Sequence, residues 1–380
     1  MSCYLDYNAT APVRPQVRDA MSRALTLEGN PSSVHGAGRR ARAAVEEARE
    51  RVAALAGTSA ANVVFTGSGS EANNLALAGP RPAHILVSAI EHPSILRPAA
   101  ERPGGFGLIP VDRDGVVDLA ALEAQIAEIE AAPLLVSVML ANNETGVLQP
   151  SAEVVAIAKA AGALVHVDAV QAAGRVPLDF DRSGADLMSL SAHKLGGPKG
   201  VGALIKRAEL DLAPLISGGG QERSLRAGTE NVPGIVGFGA AAAAAAEELA
   251  GGGEIERQRQ LRDRLEEAVG SLGARAVVVG GAVPRLANTS CLAFPGYLAE
   301  TLVIAFDLEG IAVSAGSACS SGKVEASHVL EAMDLAPDIA TSAIRVSLGY
   351  GSSDADVDAF LAAAAAILSR APVTAAGSVP

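Results

Sequence analysis

Six short apolar runs, at residues 62–66, 85–88, 134–140, 164–167, 187–190 and 201–205, read as buried strands. Helical patterns lie between most of them, as at 119–129 and 152–161. Strands that are apolar on both faces need cover on both sides, and parallel neighbours need a crossover long enough to hold a helix. This alternation therefore predicts a mostly parallel sheet with helices on both faces, and the fold class is α/β. Ahead of the strands, Ala41, Val45, Ala48, Val52 and Leu55 recur at alternating intervals of four and three, which predicts an amphipathic helix over 39–55 ending at Gly57.

Beyond residue 240 the pattern changes. Alanines over 240–250 predict a helix, and Gly251, Gly252 and Gly253 stop it and leave a hinge. A charged helix at 254–269 follows, then strand-like runs at 276–279 and 289–294, a helix near 300–308, a strand around 344–348 and a last helix over 354–368. A chain of 380 residues is too long for one ordinary core. Two domains are expected, a large one over 13–250 and a smaller α+β one built from 1–12 and 254–370. Residues 371–380 have little to pack and are expected to be disordered.

The formal charge is −12, from 30 basic and 42 acidic side chains, and the pI is near 5.0. Nucleic acid or an anionic membrane calls for a basic face, so this balance argues against both. No apolar run reaches the roughly 18 residues of a transmembrane helix. The N-terminus lacks the basic start and apolar core of a signal peptide, so the cytosol is the expected compartment. Cys3, Cys291 and Cys319 are too few for a disulfide framework and too scattered for a clustered metal site, so reduced thiols and no metal are expected.

Two of the strands end in chemistry. The run 187–190 delivers Ser191, His193 and Lys194 to a turn rich in glycine and proline. A lysine there is held in place, although alone it reads equally well as an ordinary loop lysine. The run 164–167 ends in Asp168, with Gln171 three residues on, and Asp168 alone reads equally well as a helix cap. Together, a carboxylate and an amine at the ends of nearby buried strands are what pyridoxal 5′-phosphate needs, one to keep its ring nitrogen protonated and one to bond its aldehyde. Thr66-Gly-Ser-Gly-Ser-Glu-Ala-Asn-Asn74 joins a strand to a helix and leaves backbone N–H groups for a phosphate, though by itself it reads more readily as a plain helix cap.

The chain resembles the pyridoxal-phosphate-dependent cysteine desulfurases of the nitrogen-fixation and iron–sulfur-cluster type, among the class V aminotransferases. The shared motifs include Tyr4-Leu-Asp-Tyr-Asn-Ala-Thr10, Gly29-Asn-Pro-Ser-Ser33, Glu91-His92, Asn142-Asn-Glu144, His166-Val-Asp-Ala169, Ser191-Ala-His-Lys194, Arg226-Ala-Gly-Thr229, Ser317-Ala-Cys319 and Ile344-Arg345, in family order. The resemblance implies fold type I, with the cofactor in the large domain and a catalytic cysteine loop on the small one. It assigns catalysis to Lys194, Cys319 and His92, the last also stacking on the cofactor ring. Gly69, Ser70, Ser191 and His193 are implied at the phosphate, with Thr229 supplied by a neighbouring subunit, hence a homodimer. Asp168, Asn143 and Gln171 are implied at the ring, and Arg345 and Asn30 at the substrate.

The implied reaction takes L-cysteine to L-alanine and leaves the sulfur as a persulfide on Cys319, for an acceptor such as an iron–sulfur cluster scaffold. Cys319 lies in Ser314-Ala-Gly-Ser-Ala-Cys-Ser-Ser-Gly-Lys323, small residues with no apolar periodicity, so a mobile loop with a reachable thiol is expected. Cys291, in a strand-like run, reads instead as a small buried hydrophobe. Two other readings stay open. One is a different reaction on the same fold, a selenocysteine lyase above all, or another lyase or an aminotransferase. The other is a non-catalytic partner in a sulfur-transfer complex, against which Lys194, Asp168, His92 and Cys319 together argue.

Overall fold

The computed structural model describes residues 3–102, 105–130, 132–272, 276–316 and 327–369. After a two-residue strand, β1 (Cys3–Tyr4), the chain lays down the main sheet: β2 (Val63–Thr66), β3 (His84–Ser88), β4 (Phe106–Ile109), β5 (Leu134–Met139), β6 (Leu164–Asp168), β7 (Leu187–Ser191) and β8 (Gly202–Lys206). Their spatial order is β2-β8-β7-β6-β5-β3-β4. All neighbours are parallel except β8, which runs antiparallel to β2 and β7. Every residue of β5 and β7 is buried, as expected of strands covered on both faces. The sequence pattern does not foresee β4, an edge strand with Phe106 and Leu108 exposed and no buried run to mark it.

The helix Gly36–Ala56 turns its predicted stripe inward, and Gly57 ends it at φ 67°, a left-handed conformation suited to glycine. The helix Val232–Gly251 begins well before the alanine run, because the Asn231 side chain caps it by accepting the Gly234 N–H at 3.1 Å. By length and composition it is apolar enough to cross a membrane, which corrects the expectation that no run reaches that length. Here 61% of its apolar window is buried in the fold, against the helices Pro15–Ala24 and Gly36–Ala56. Gly252 alone separates it from the helix Gly253–Gly270, so the three glycines make a one-residue corner.

The second sheet comprises β9 (Val277–Val278), β10 (Thr289–Ala293), β12 (Ser314–Ala315) and β13 (Ala343–Ser347), antiparallel in the order β12-β13-β10-β9. Strand β11 (Ile311–Ala312) pairs in parallel with β1, which stitches the N-terminus to this half of the molecule. Its core includes Phe294, Phe306 and Phe360, the last two stacked with centroids 4.9 Å apart. The closing helix, Asp354–Leu368, has the predicted bounds, and a capping box between Ser353 and Asp356 starts it. Residues 371–380 lie outside the described residues.

Candidate active site

The carboxyl ends of β5, β6 and β7 open into a cavity of about 380 Å³, at the end of the sheet where open α/β folds bind ligands. Asp168 closes β6 and is buried. Its Oδ2 accepts the Asn73 amide at 2.7 Å and its Oδ1 accepts the Val170 N–H at 2.9 Å. Lys194, on the turn after β7, donates from Nζ to the carbonyls of Asn8 and Ala9, the latter at 2.9 Å. His92 caps the helix Pro93–Ala100, its Nδ1 accepting the Ser94 N–H at 3.1 Å, which leaves the proton of a neutral ring on Nε2.

Burial pushes His92 below its ordinary range; the Asp168 carboxylate pulls the other way, and the Lys194 charge lowers it further. His193 is lowered to about 4 by burial, then by Lys194 and Lys199. Both imidazoles are therefore neutral at neutral pH. Glu91, beside His92, is fully buried, and burial followed by the Asp168 charge raises it well above the carboxylate range. Its Oε1 accepts the Met139 N–H at 2.6 Å.

One end of the cavity suits a phosphate. Ser68 caps the helix Gly69–Ala78, so the first backbone N–H groups of that helix point into the cavity region lined by Gly69 and Ser70. A Cβ on Gly69 would stand 3.1 Å from both Ser191 Cβ and Val170 Cγ2, so glycine keeps this cradle open. The Ser191 hydroxyl is buried with no hydrogen-bond partner among the described residues, a donor awaiting an acceptor. Neutral His193 adds another N–H. With Asp168 for a protonated ring nitrogen and Lys194 for an aldehyde, the donor set fits pyridoxal phosphate.

The opposite wall comes from the N-terminus and the second sheet. Arg345, on β13, donates from Nη2 to Asp6 Oδ1 at 2.7 Å and from Nη1 to the Asn143 carbonyl at 2.9 Å, while its Nε is buried with no partner among the described residues. Asn8 donates to the Asn143 carbonyl at 3.2 Å and accepts, through its own carbonyl, the Gln171 amide at 3.0 Å. Arg175 donates to Gln171 Oε1 from behind, which fixes the amide orientation.

Ten of the predicted positions thus meet at one cavity: Gly69, Ser70, His92, Asn143, Asp168, Gln171, Ser191, His193, Lys194 and Arg345 all line it. Three do not. Thr229 is exposed and borders a separate cavity of about 270 Å³, with Gly67 and Arg226. Asn30 is exposed, and its Oδ1 accepts the Ser32 N–H at 2.8 Å. Cys319 falls in 317–326, outside the described residues. Asp6, Asn8 and Asn73 line the cavity without having been singled out. Helical spacing was the available signal for Asn73, which shares the buried face of Ala72 and Ala76.

The chain matches the class-V aminotransferase family over residues 3–360. A cysteine desulfurase of Cereibacter sphaeroides is 45% identical over 369 residues, covering 94% of this chain and 93% of that relative. Among solved structures, a NifS-like protein from Rickettsia africae aligns with a TM-score of 0.90 at 36% identity, over 97% of this chain and 100% of that one. A structure described as SspA in complex with cysteine aligns with a TM-score of 0.78 at 31% identity, over 92% and 99%. The chain belongs to the class-V aminotransferase family. Within that family it belongs with the cysteine desulfurases.

Proposed function

We propose that this enzyme takes sulfur from L-cysteine, releases L-alanine and leaves a persulfide on Cys319, with pyridoxal phosphate held in the cavity. The convergence of Lys194, Asp168, His92 and Arg345 on one cavity carries the reading. A relative described in complex with cysteine supports the choice of substrate. When bound, pyridoxal phosphate supplies an electron sink that lets an amino acid lose its α-proton.

The chain's own residues do the rest. Gly69, Ser70, Ser191 and His193 hold the phosphate. Asp168, fixed by Asn73 and the Val170 N–H, keeps the ring nitrogen protonated. Gln171 and Asn143 would hold the ring substituents, and His92 would serve the ring as a proton carrier through Nε2. Lys194 Nζ removes the α-proton, and Arg345 holds the substrate carboxylate with its guanidinium. The thiolate of Cys319 bonds the substrate sulfur as the carbon–sulfur bond breaks, the electron pair stays on that carbon, and a proton completes the methyl group. One thiol and one L-cysteine become one persulfide and one L-alanine.

Thr229, exposed and away from its own cavity, supports a homodimer in which it reaches the phosphate of the second subunit. A sulfur acceptor, such as an iron–sulfur cluster scaffold protein, then discharges Cys319. The test is L-alanine formation from L-cysteine with a thiol reductant, in wild type and Cys319→Ala, with L-selenocysteine in parallel. The wild type should turn over L-cysteine, and the variant should keep the visible cofactor band yet form no alanine. Equal alanine from both proteins, or turnover of selenocysteine alone, would overturn the proposal.

A further inference from the structure

Glu144 has no part in the roles given above, yet it stands where the two halves of the molecule meet. It follows Asn143 in the turn after β5, and its carboxyl is buried, 3% exposed. Its Oε2 accepts the Ser327 hydroxyl at 2.5 Å. That hydroxyl accepts in turn from the Leu330 N–H at 3.3 Å, so its own proton is committed to Glu144. Gly316 lies against the same oxygen: a Cβ there would overlap Glu144 Oε2 and stand 3.0 Å from Ser327 Cβ. Gly316 and Ser327 are the described residues immediately before and after 317–326, the stretch that carries Cys319.

We propose that Glu144 is a positioning residue that anchors both ends of the Cys319 segment beside the substrate carboxylate clamp. The inference deepens the reading above and rests on it. The anchor is itself fixed, because the Glu144 and Thr145 N–H groups both donate to Asn142 Oδ1, at 2.9 and 3.0 Å, and Asn142 donates to the Ile90 carbonyl at 3.1 Å. The clamp is adjacent: Ser314, two residues before Gly316, pairs with Arg345 in the β12–β13 ladder. Gly316 also lines the cavity, and Cys319 follows it by three residues in the sequence. A sulfur that must meet a bound substrate gains rate from a fixed point of attachment, and a displacement of about 1 Å costs on the order of a hundredfold.

The test uses the holoenzyme and the variants Glu144→Ala, Glu144→Gln and Ser327→Ala. Three quantities are read: kcat and KM for L-alanine formation, the change in the cofactor absorption band on adding L-alanine, and the alkylation rate of the reactive thiol. The last reads Cys319, because Cys3 and Cys291 are buried and burial raises both thiols to about 12. Glu144→Ala should lower kcat about thirtyfold and change the alkylation rate severalfold, with KM and the L-alanine response within about twofold. Glu144→Gln, which keeps an acceptor oxygen for Ser327, should recover to within about threefold of wild type, with Ser327→Ala in between. Unchanged kcat in Glu144→Ala, equal losses in Ala and Gln variants, or loss of the L-alanine response would each overturn the proposal. A wild type that makes no alanine would sink the desulfurase reading alone; the alkylation rates of the Ala and Gln variants would still decide the anchor.

Discussion

The two walls of the cavity are held by different means. The sheet-side wall takes Asp168, Ser191, His193 and Lys194 from the ends of adjacent parallel strands, inside one stretch of sequence, where a ladder of backbone bonds fixes them together. The facing wall takes Asp6 and Asn8 from near the N-terminus and Arg345 from β13 near the other end of the chain, with Asn143 added from the turn after β5. There distant segments are joined by backbone bonds, such as the Tyr7 N–H to the Ser347 carbonyl, and by side-chain bonds, such as Arg345 to Asp6 and Asn8 to Thr289. The difference assigns tasks: groups whose alignment with the cofactor must not vary sit at the ends of one parallel ladder, and groups that admit substrate sit on the wall assembled from distant segments. Changes to the first should abolish chemistry, and changes to the second should shift binding.

The largest effect should follow Lys194→Ala, with alanine formation down by at least about 10⁴-fold and no cofactor band shift on adding L-cysteine at concentrations that saturate wild type. A variant retaining a tenth of wild-type rate would break the division of tasks. The walls also predict opposite pH slopes in stability. His166, fully buried between Ser137 and Ser189 of the sheet, is lowered by burial to about 3. As pH falls from 6.5 towards 3 the unfolded chain binds a proton that the fold refuses, so stability drops, by about 5 kcal/mol at the limit. On the facing side Glu144 is raised to about 7 by burial, against the Ser327 hydrogen bond and the Arg345 charge. The fold then holds a proton that the unfolded chain releases, so stability is lost as pH rises from 4.5 to 7, by about 3 kcal/mol. Denaturant titrations across pH should show the acid slope shrinking in His166→Asn and the neutral-side slope shrinking in Glu144→Gln, and slopes unmoved by these changes would contradict the assignments.

Smaller still, Arg345→Ala should raise KM for L-cysteine about a hundredfold while changing kcat far less, a split visible in steady-state kinetics. The mildest change should be Asp6→Asn, which keeps an acceptor for Arg345 Nη2 but removes the competing charge. KM should fall about threefold, and a rise in KM would show that the Asp6 charge holds the clamp in shape.

The same division explains how much was legible in the sequence. Lys194 and Asp168 could be found because each closes an apolar run that reads as a strand, and both local pattern and chemistry point to the same place. Arg345 was placed through family motifs alone, and its partner Asp6 lies 339 residues away, beyond any periodicity. Asn73 and Asn74 look equivalent on paper; the helix face makes Asn73 the partner of Asp168, while Asn74 donates to the Ser70 and Ser94 carbonyls. Strand β4 escaped because an exposed edge needs no buried run. The helix from Val232 escaped at its start because Asn231, Val232 and Pro233 carry the cap while the alanines carry the pattern.

The most direct measurement is the mass of the Cys319-containing peptide after one exposure of the holoenzyme to L-cysteine without reductant. A gain of one sulfur atom on that peptide, together with one L-alanine per active site, is the predicted result. An unmodified Cys319 peptide alongside stoichiometric L-alanine and free sulfide would contradict it, since the sulfur would then leave without passing through Cys319.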